Sequence, residues 1–317
     1  MPPPSENSAD KALLAERLRK RVDCLAGLIG PRHLGKPAAF EAAAGYVERE
    51  FRAIGETVER EWYEVDGRPV SNVVVTRTGT TRPGEVVILG AHYDTVSSTP
   101  GADDNASAVA VLIEATRQLH ALSPQRTVRF VAFACEEPPH FYTDTMGSQV
   151  HARGCRARNE RIVGMLCLEM VGYYTTAPGS QQAPPGIPRW LRWAFPKRGD
   201  FLAAVGNMRS LRLLWNFRRG FKQATRFLNF APRSNFGDPP VGQQLLLGPG
   251  LPGPDADRHQ LPAQSALPRS QRYSRDTRLR TDGRSDTRRC GRGEPTGAVS
   301  IVRFDYTALA DMTHFEW

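Results

Sequence analysis

Four short segments of this 317-residue chain carry residues able to hold a metal ion or move a proton. They are Ala91-His92-Tyr93-Asp94, the loop Pro100-Gly101-Ala102-Asp103-Asp104-Asn105-Ala106-Ser107, the pair Glu136-Glu137, and Leu168-Glu169. Each has a bland reading of its own. A His-x-Asp is usually a surface loop, Asp103-Asp104 before a helix can be an N-cap and a dipole-matching acid, and Glu136-Glu137 can be a solvated turn. Taken together they offer an imidazole, several carboxylates and one carboxylate to spare as a base, the donor set that a dinuclear hydrolytic centre needs.

That chemistry requires elements that bring the four segments to one place. Three of them follow predicted strands: Val86–Gly90, a short continuous apolar run with the pattern of a strand buried on both faces, before His92, Val128–Ala134 before Glu136, and Ile162–Leu168 before Glu169. The fourth is a glycine-led loop entering a helix predicted over Ser107–Leu122. Ligands for catalytic metals sit well at strand ends, where a rigid element meets an open loop. Further helices are predicted over Lys11–Leu28, Ala38–Ile54 and Met146–Arg153. Further strands are predicted over Val58–Val65 and Asn72–Thr76, joined at Asp66-Gly67, and over Phe201–Val205. Strands alternating with helices imply an α/β three-layer sandwich around a central mixed, mostly parallel sheet.

The ordered set of strings resembles the M28 metallopeptidases, a family of zinc aminopeptidases: Gly-Ala-His92-Tyr-Asp94, Pro-Gly-Ala-Asp-Asp104-Asn-Ala-Ser, Glu136-Glu137, and Leu-Glu169-Met-Val-Gly-Tyr. The resemblance runs from about Leu18 to Ala231 and implies two Zn2+ ions per site. It assigns His92 to one zinc, Asp94 to orienting His92, Asp104 to bridging the two metals, and Asp103 to shaping the loop or capping the helix. Glu136 becomes the general base, Glu137 a ligand on one zinc, and Glu169 a ligand on the other. The implied activity is that of a hydrolase cleaving the first bond of a peptide with a free N-terminus. Two rivals share the scaffold: a glutaminyl-cyclase-like acyltransferase using one zinc, and a non-catalytic binding protein.

The family also requires a late histidine, commonly within a Pro-His-Tyr-His-like segment, and neither His259 nor His314 has that context. The character of the chain changes near Gly237. From there to about Gly297, Ile, Phe, Trp and Met vanish, and no helical or strand periodicity survives. Reading each codon one nucleotide late, with permissible wobble choices, turns Val241–Asp282 into a string resembling the family's C-terminal segment. The run Gln243–Gly248 allows Asn-Ser-Ser-Phe-Trp, and Ala266–Arg269 allows His-Tyr-His, in the family's order. The expectation is a change of frame between about Asn235 and Val241 that removes the last histidine ligand. The domain organisation expected is a disordered start over 1–8, a peptidase domain over 9–240, and an irregular Arg-, Pro- and Gly-rich tail over 241–317.

Composition narrows the remaining classes. The formal charge of +9 invites a nucleic-acid reading, but residues 241–300 contain ten Arg, no Lys and six acidic residues. Such a stretch lacks the mixture of Lys and aromatics that phosphate-binding surfaces use, so no nucleic-acid partner is expected. Five scattered cysteines without a C-x-x-C pair read as thiols in a reducing compartment. No apolar stretch of signal-peptide or membrane-span length is seen, which points to a cytoplasmic protein without a membrane partner.

Overall fold

Leu14, Leu18 and Val22 recur at helical spacing, and the first helix, α1, covers Ser8–Val22, prolonged by a π-helical turn over Asp23–Ile29. The computed structural model describes residues 8–181, 197–206, 210–224 and 244–249, with Trp190 and Trp193. Helix α2, Pro37–Ile54, begins on a proline, whose missing N–H costs nothing in a first turn, and ends at Gly55 in the left-handed conformation. Strands β1, Val58–Val65, and β2, Arg68–Arg77, form a hairpin across Asp66-Gly67. Both turn residues have positive φ, which Asp-Gly supplies at low cost.

The chain then alternates. Strand β3 spans Arg82–His92, helix α3 Ala108–Leu119, strand β4 Arg126–Phe133, helix α4 Gly147–Ala157 and strand β5 Arg161–Leu168. Strand β6, Leu202–Gly206, helix α5, Leu211–Ala224, and strand β7, Gln244–Pro249, follow. One seven-stranded sheet results, in the order β1-β2-β4-β3-β5-β7-β6. The sheet is mixed, as expected. Its four central strands β4, β3, β5 and β7 are mutually parallel, while the pairings of β1 with β2, β2 with β4 and β6 with β7 are antiparallel.

Alternation along the strands decides which residues face which layer. Val87, Leu89, Ala91, Val128, Phe130 and Ala132 join the large core with Phe40, Val47 and Phe51 of α2 and Leu112 of α3. Val86, Ile88, Val131 and Phe133 face the opposite way and pack with Cys155 of α4. Helices therefore cover both faces; β4 is buried along its whole length and β3 from Val86 to His92.

One expectation is corrected here. No strand was expected beyond residue 240, yet Gln244–Pro249 pairs in parallel with β5 and antiparallel with β6. Leu245-Leu246-Leu247 is a short apolar run in a polar stretch, and the sheet position between β5 and β6 recruits it where window-based periodicity dilutes it. The start before residue 8, the frame-change point at 235–241 and the rest of the tail, including His259 and His314, lie outside the described residues. Among the described residues no helix is long and apolar enough to cross a membrane.

Candidate metal centre

Because β4, β3 and β5 are parallel, their C-terminal ends open on one edge of the sheet, the usual location of an α/β site. His92 closes β3 opposite Phe133 of β4, and two residues beyond Phe133 the chain reaches Cys135 and then Glu136-Glu137. Glu169 follows directly on β5. Two residues beside these acids, Cys135 (φ 57°) and Met170 (φ 48°), hold the left-handed conformation, which non-glycine residues adopt at some cost and which is common where a site dictates the backbone.

The fourth segment is built by its own polar side chains. Gly101 has φ 59°, and a Cβ there would lie 2.1 Å from the Asp104 carbonyl oxygen, so only glycine fits the turn. The Ala106 N–H closes it on the Gly101 carbonyl at 3.1 Å. Asp103 accepts hydrogen bonds from the Gly172 N–H at 2.8 Å and from the Ser107 hydroxyl at 3.0 Å, so it shapes the loop instead of facing the cluster. The buried Asn105 donates to the Leu168 carbonyl at 3.0 Å and to Glu169 Oε2 at 3.2 Å, and accepts from the Met170 N–H at 3.0 Å. This loop and the end of β5 are thereby fastened together.

Three of the residues singled out from the sequence converge: His92, Asp104 and Glu169, with ligand atoms all within 4.8 Å of one another. His92 Nε2 lies 3.3 Å from Asp104 Oδ1 and 3.3 Å from Glu169 Oε1. Its other ring nitrogen, Nδ1, lies 3.2 Å from the Asp94 carbonyl oxygen and 3.5 Å from Asp94 Oδ1. Asp94 also accepts the Glu136 N–H on Oδ1 at 3.2 Å and the Glu137 N–H on Oδ2 at 3.1 Å. It ties the His92 strand end to the Glu136-Glu137 turn. The Glu137 carboxylate is close enough to feel His92, Asp104 and Asp94 electrostatically but stands outside the three-residue group.

The electrostatics fit a cation. Burial alone would depress the His92 imidazole, yet the carboxylates of Glu169, Asp104 and Asp94 push it well above its ordinary range. Burial works against ionisation of Asp104, but His92 and Arg32 outweigh it and hold the carboxyl low. Asp104 Oδ1 is nevertheless buried without a hydrogen bond of good geometry, an ionised oxygen aimed at a space between an imidazole and another carboxylate. Imidazole and carboxylate oxygens in that arrangement suit a divalent ion such as zinc.

Glu136 is held differently. Its Oε1 accepts the Ser148 N–H at 2.6 Å and its Oε2 the Ser148 hydroxyl at 2.9 Å, so both oxygens are fixed from the start of α4. Burial, with the charge of Asp94 adding to it, pushes its carboxyl up to about 8. Burial also raises Glu137, to about 7, helped by Asp104, Asp94 and Glu169 and opposed by His92. A cavity of about 180 Å3 opens beside Asp94 and Glu137, lined also by His33, Phe40, Ser97 and His140. A larger one, about 280 Å3, is lined by residues such as Arg77 and Leu122 and shares none with the site.

Sequence reasoning missed the supporting residues. Asn105 and Ser107 stood inside a quoted motif without a role, and Ser148 and Asn72 carried no signal. Asn72 accepts the Ala134 N–H at 3.0 Å and donates to the Gly147 carbonyl at 2.9 Å, joining the end of β4 to the start of α4.

Residues 72–193 match the model of peptidase family M28. The uncharacterized protein YfbL of Escherichia coli strain K12 is 42% identical over 205 residues, covering 62% of this chain and 61% of that protein. A probable zinc metalloprotease of Pyrenophora teres f. teres is 33% identical over 111 residues, 32% of this chain and 23% of its own length. The chain thus spans less than two thirds of either relative. Among solved structures, the aminopeptidase from Aneurinibacillus sp. strain AM-1 shares the fold with a TM-score of 0.56 at 15% identity, over 76% of this chain and 86% of that one. The stretch matching peptidase family M28 contains His92, Asp94, Asp104, Glu136, Glu137 and Glu169.

Proposed function

We propose that this chain is a zinc-dependent metallopeptidase of the aminopeptidase type, acting on peptides with a free N-terminus. The observation that carries the reading is the convergence of His92, Asp104 and Glu169, with Asp104 Oδ1 buried and lacking a hydrogen bond of good geometry. Two zinc positions are proposed: one framed by His92, Asp104 and Glu169, the other by Asp104 and Glu137. Zinc bound there acts as a Lewis acid, polarising the scissile carbonyl and making water a better nucleophile at neutral pH.

The chain's own groups supply the rest. Glu136 is the general base. With both oxygens fixed by Ser148, its carboxylate takes the proton of the attacking water and returns it to the leaving amine nitrogen. A carboxyl whose burial favours the protonated form gains driving force for that uptake and remains able to give the proton back. Asp94 sets the orientation of His92 and carries the two main-chain N–H groups that place Glu136 and Glu137. The cavity beside Glu137 offers room for a substrate group.

Reduced activity of the chain as written is part of the proposal, since neither His259 nor His314 has the context of the family's late histidine. Hydrolysis of amino-acid anilides by the zinc-loaded chain tests the reading, alongside a version whose C-terminal segment is translated in the second frame. Turnover by the second-frame version, well above that of the chain as written and abolished by a chelator, is the expected result. No turnover by either, with zinc bound, would favour a binding protein on this scaffold.

A further inference from the structure

Among the described residues Arg32 is the largest side chain with no exposed surface, and an arginine is almost never so deeply buried without a carboxylate partner. Among the described residues none of its acceptors is a carboxylate. Nε donates to the Tyr93 carbonyl at 2.5 Å and Nη2 to the Gly101 carbonyl at 3.0 Å. Nη1 donates to the Pro100 carbonyl at 2.6 Å and, at 3.3 Å, to those of Leu25 and Gly30. Its main chain is fixed as well: its N–H donates to Thr95 Oγ1 at 3.0 Å, and its carbonyl accepts the Thr95 N–H at 3.1 Å.

The acceptors belong to three separate segments. Leu25 and Gly30 form the end of the first helical stretch. Tyr93 lies between His92 and Asp94. Pro100 and Gly101 lead into Asp104, and the Gly101 carbonyl that receives Arg32 also closes the Asp104 turn through Ala106. We propose that Arg32 is a positioning residue of the metal centre, the brace that fixes the strand end bearing His92 against the loop bearing Asp104. The proposal rests on the reading of that cluster as a metal site.

Only arginine can do this. Its planar fork offers five N–H donors in fixed directions, enough for several carbonyls on different segments, whereas lysine offers three from a single point. Its charge has a use as well. The nearest compensating charges are Asp94 and Asp104, so the guanidinium offsets part of the repulsion among the site's carboxylates. Burial depresses the group only to about 10, so it remains cationic at neutral pH.

A merely stabilising arginine and a brace for the centre behave differently under Arg32→Lys. In the metal-free protein, amide hydrogen exchange is compared between Tyr93, Thr95 and Ala106, which flank the centre, and Phe130 and Leu166 in the central strands. The brace predicts exchange faster by about tenfold or more at the first three, with the strand amides unchanged, and cobalt(II) affinity lower by about tenfold with an altered visible absorption spectrum. Arg52→Lys, on the exposed side of α2, leaves both at parental values. Uniform acceleration of all five amides, or unchanged cobalt affinity and spectrum, overturns the proposal. Should Arg32→Lys fail to fold, Thr95→Val removes the hydroxyl that anchors the Arg32 N–H and is read against the same two outcomes in smaller measure. If the parent protein takes up no cobalt, the metal-site reading fails by itself, and the exchange pattern still decides whether Arg32 braces the two segments.

Discussion

Glu114 lies midway along α3 with its carboxylate fully buried, and three arginines converge on it: Arg17 at 2.8 Å, Arg21 at 2.8 Å and Arg117 at 2.5 Å. Burial alone would raise its carboxyl above the ordinary 4.5, but hydrogen bonds from Arg117, Arg17 and Arg21 outweigh it and hold the group at about 2. The folded state therefore binds this proton more weakly than the unfolded chain does. The difference, converted at about 1.4 kcal/mol per unit, is about 3 kcal/mol of stability. Because the folded pKa is depressed, the contribution is complete above the unfolded value and is lost as pH falls toward the folded one. Glu114→Gln keeps the volume, removes the titration and leaves Arg21 with Glu50 as its remaining carboxylate partner, so at pH 7 the variant is expected to be less stable by about 3 kcal/mol. Urea unfolding of parent and variant, followed by circular dichroism from pH 7 to pH 3, measures the gap between them; about 2 kcal/mol of it should close by pH 3. A gap that stays constant over that range would refute the reasoning. So would a variant as stable as the parent at pH 7.

Three further outcomes are expected. In the version read in the second frame, Glu136→Gln keeps its zinc and loses activity by roughly 100- to 10,000-fold, as removal of a general base does; loss of zinc instead would make Glu136 a ligand. Gly101→Ala forces a Cβ to within 2.1 Å of the Asp104 carbonyl oxygen and 2.4 Å of Thr95 Cγ2 at a positive φ. It should cost about 2 kcal/mol or more and weaken zinc binding with it, and a parental melting temperature would contradict this. Nucleotide sequencing of codons 230 to 300 should show an open second frame encoding His-Tyr-His. A second frame closed by stops removes the frame-change account.

Much of the architecture was legible because it rests on local pattern. The continuous apolar run before His92 announced a doubly covered strand, and β3 is that strand, although it begins earlier, at Arg82. The Asp66-Gly67 turn and the stop at Gly55 were equally plain, since glycine at positive φ leaves a local mark. Helix α5 went unread although Leu213, Leu214 and Phe217 form a buried stripe at helical spacing. Strand β7 was missed for a different reason: its place is set by partners β5 and β6, far away in sequence.

At the site, the residues legible in the sequence were those with distinctive chemistry at strand ends. Apart from Asp94 and Asp103, those that hold them in place were not. Arg32 works entirely through main-chain carbonyls, Asn105 through a carbonyl, an amide and the Glu169 carboxylate, and Ser148 through the oxygens of a residue twelve positions away. Such contacts depend on which loops meet, and no spacing rule encodes that.

The central claim is that His92, Asp104 and Glu169 bind a metal ion. Calorimetric titration of zinc into the metal-free chain, with Asp104→Asn in parallel, tests it most directly, because Asp104 Oδ1 is the buried oxygen without a hydrogen bond. Saturable binding by the parent and a loss of affinity of about tenfold or more in the variant are expected. Equal binding by the two, or no saturable binding by the folded parent, would contradict the account.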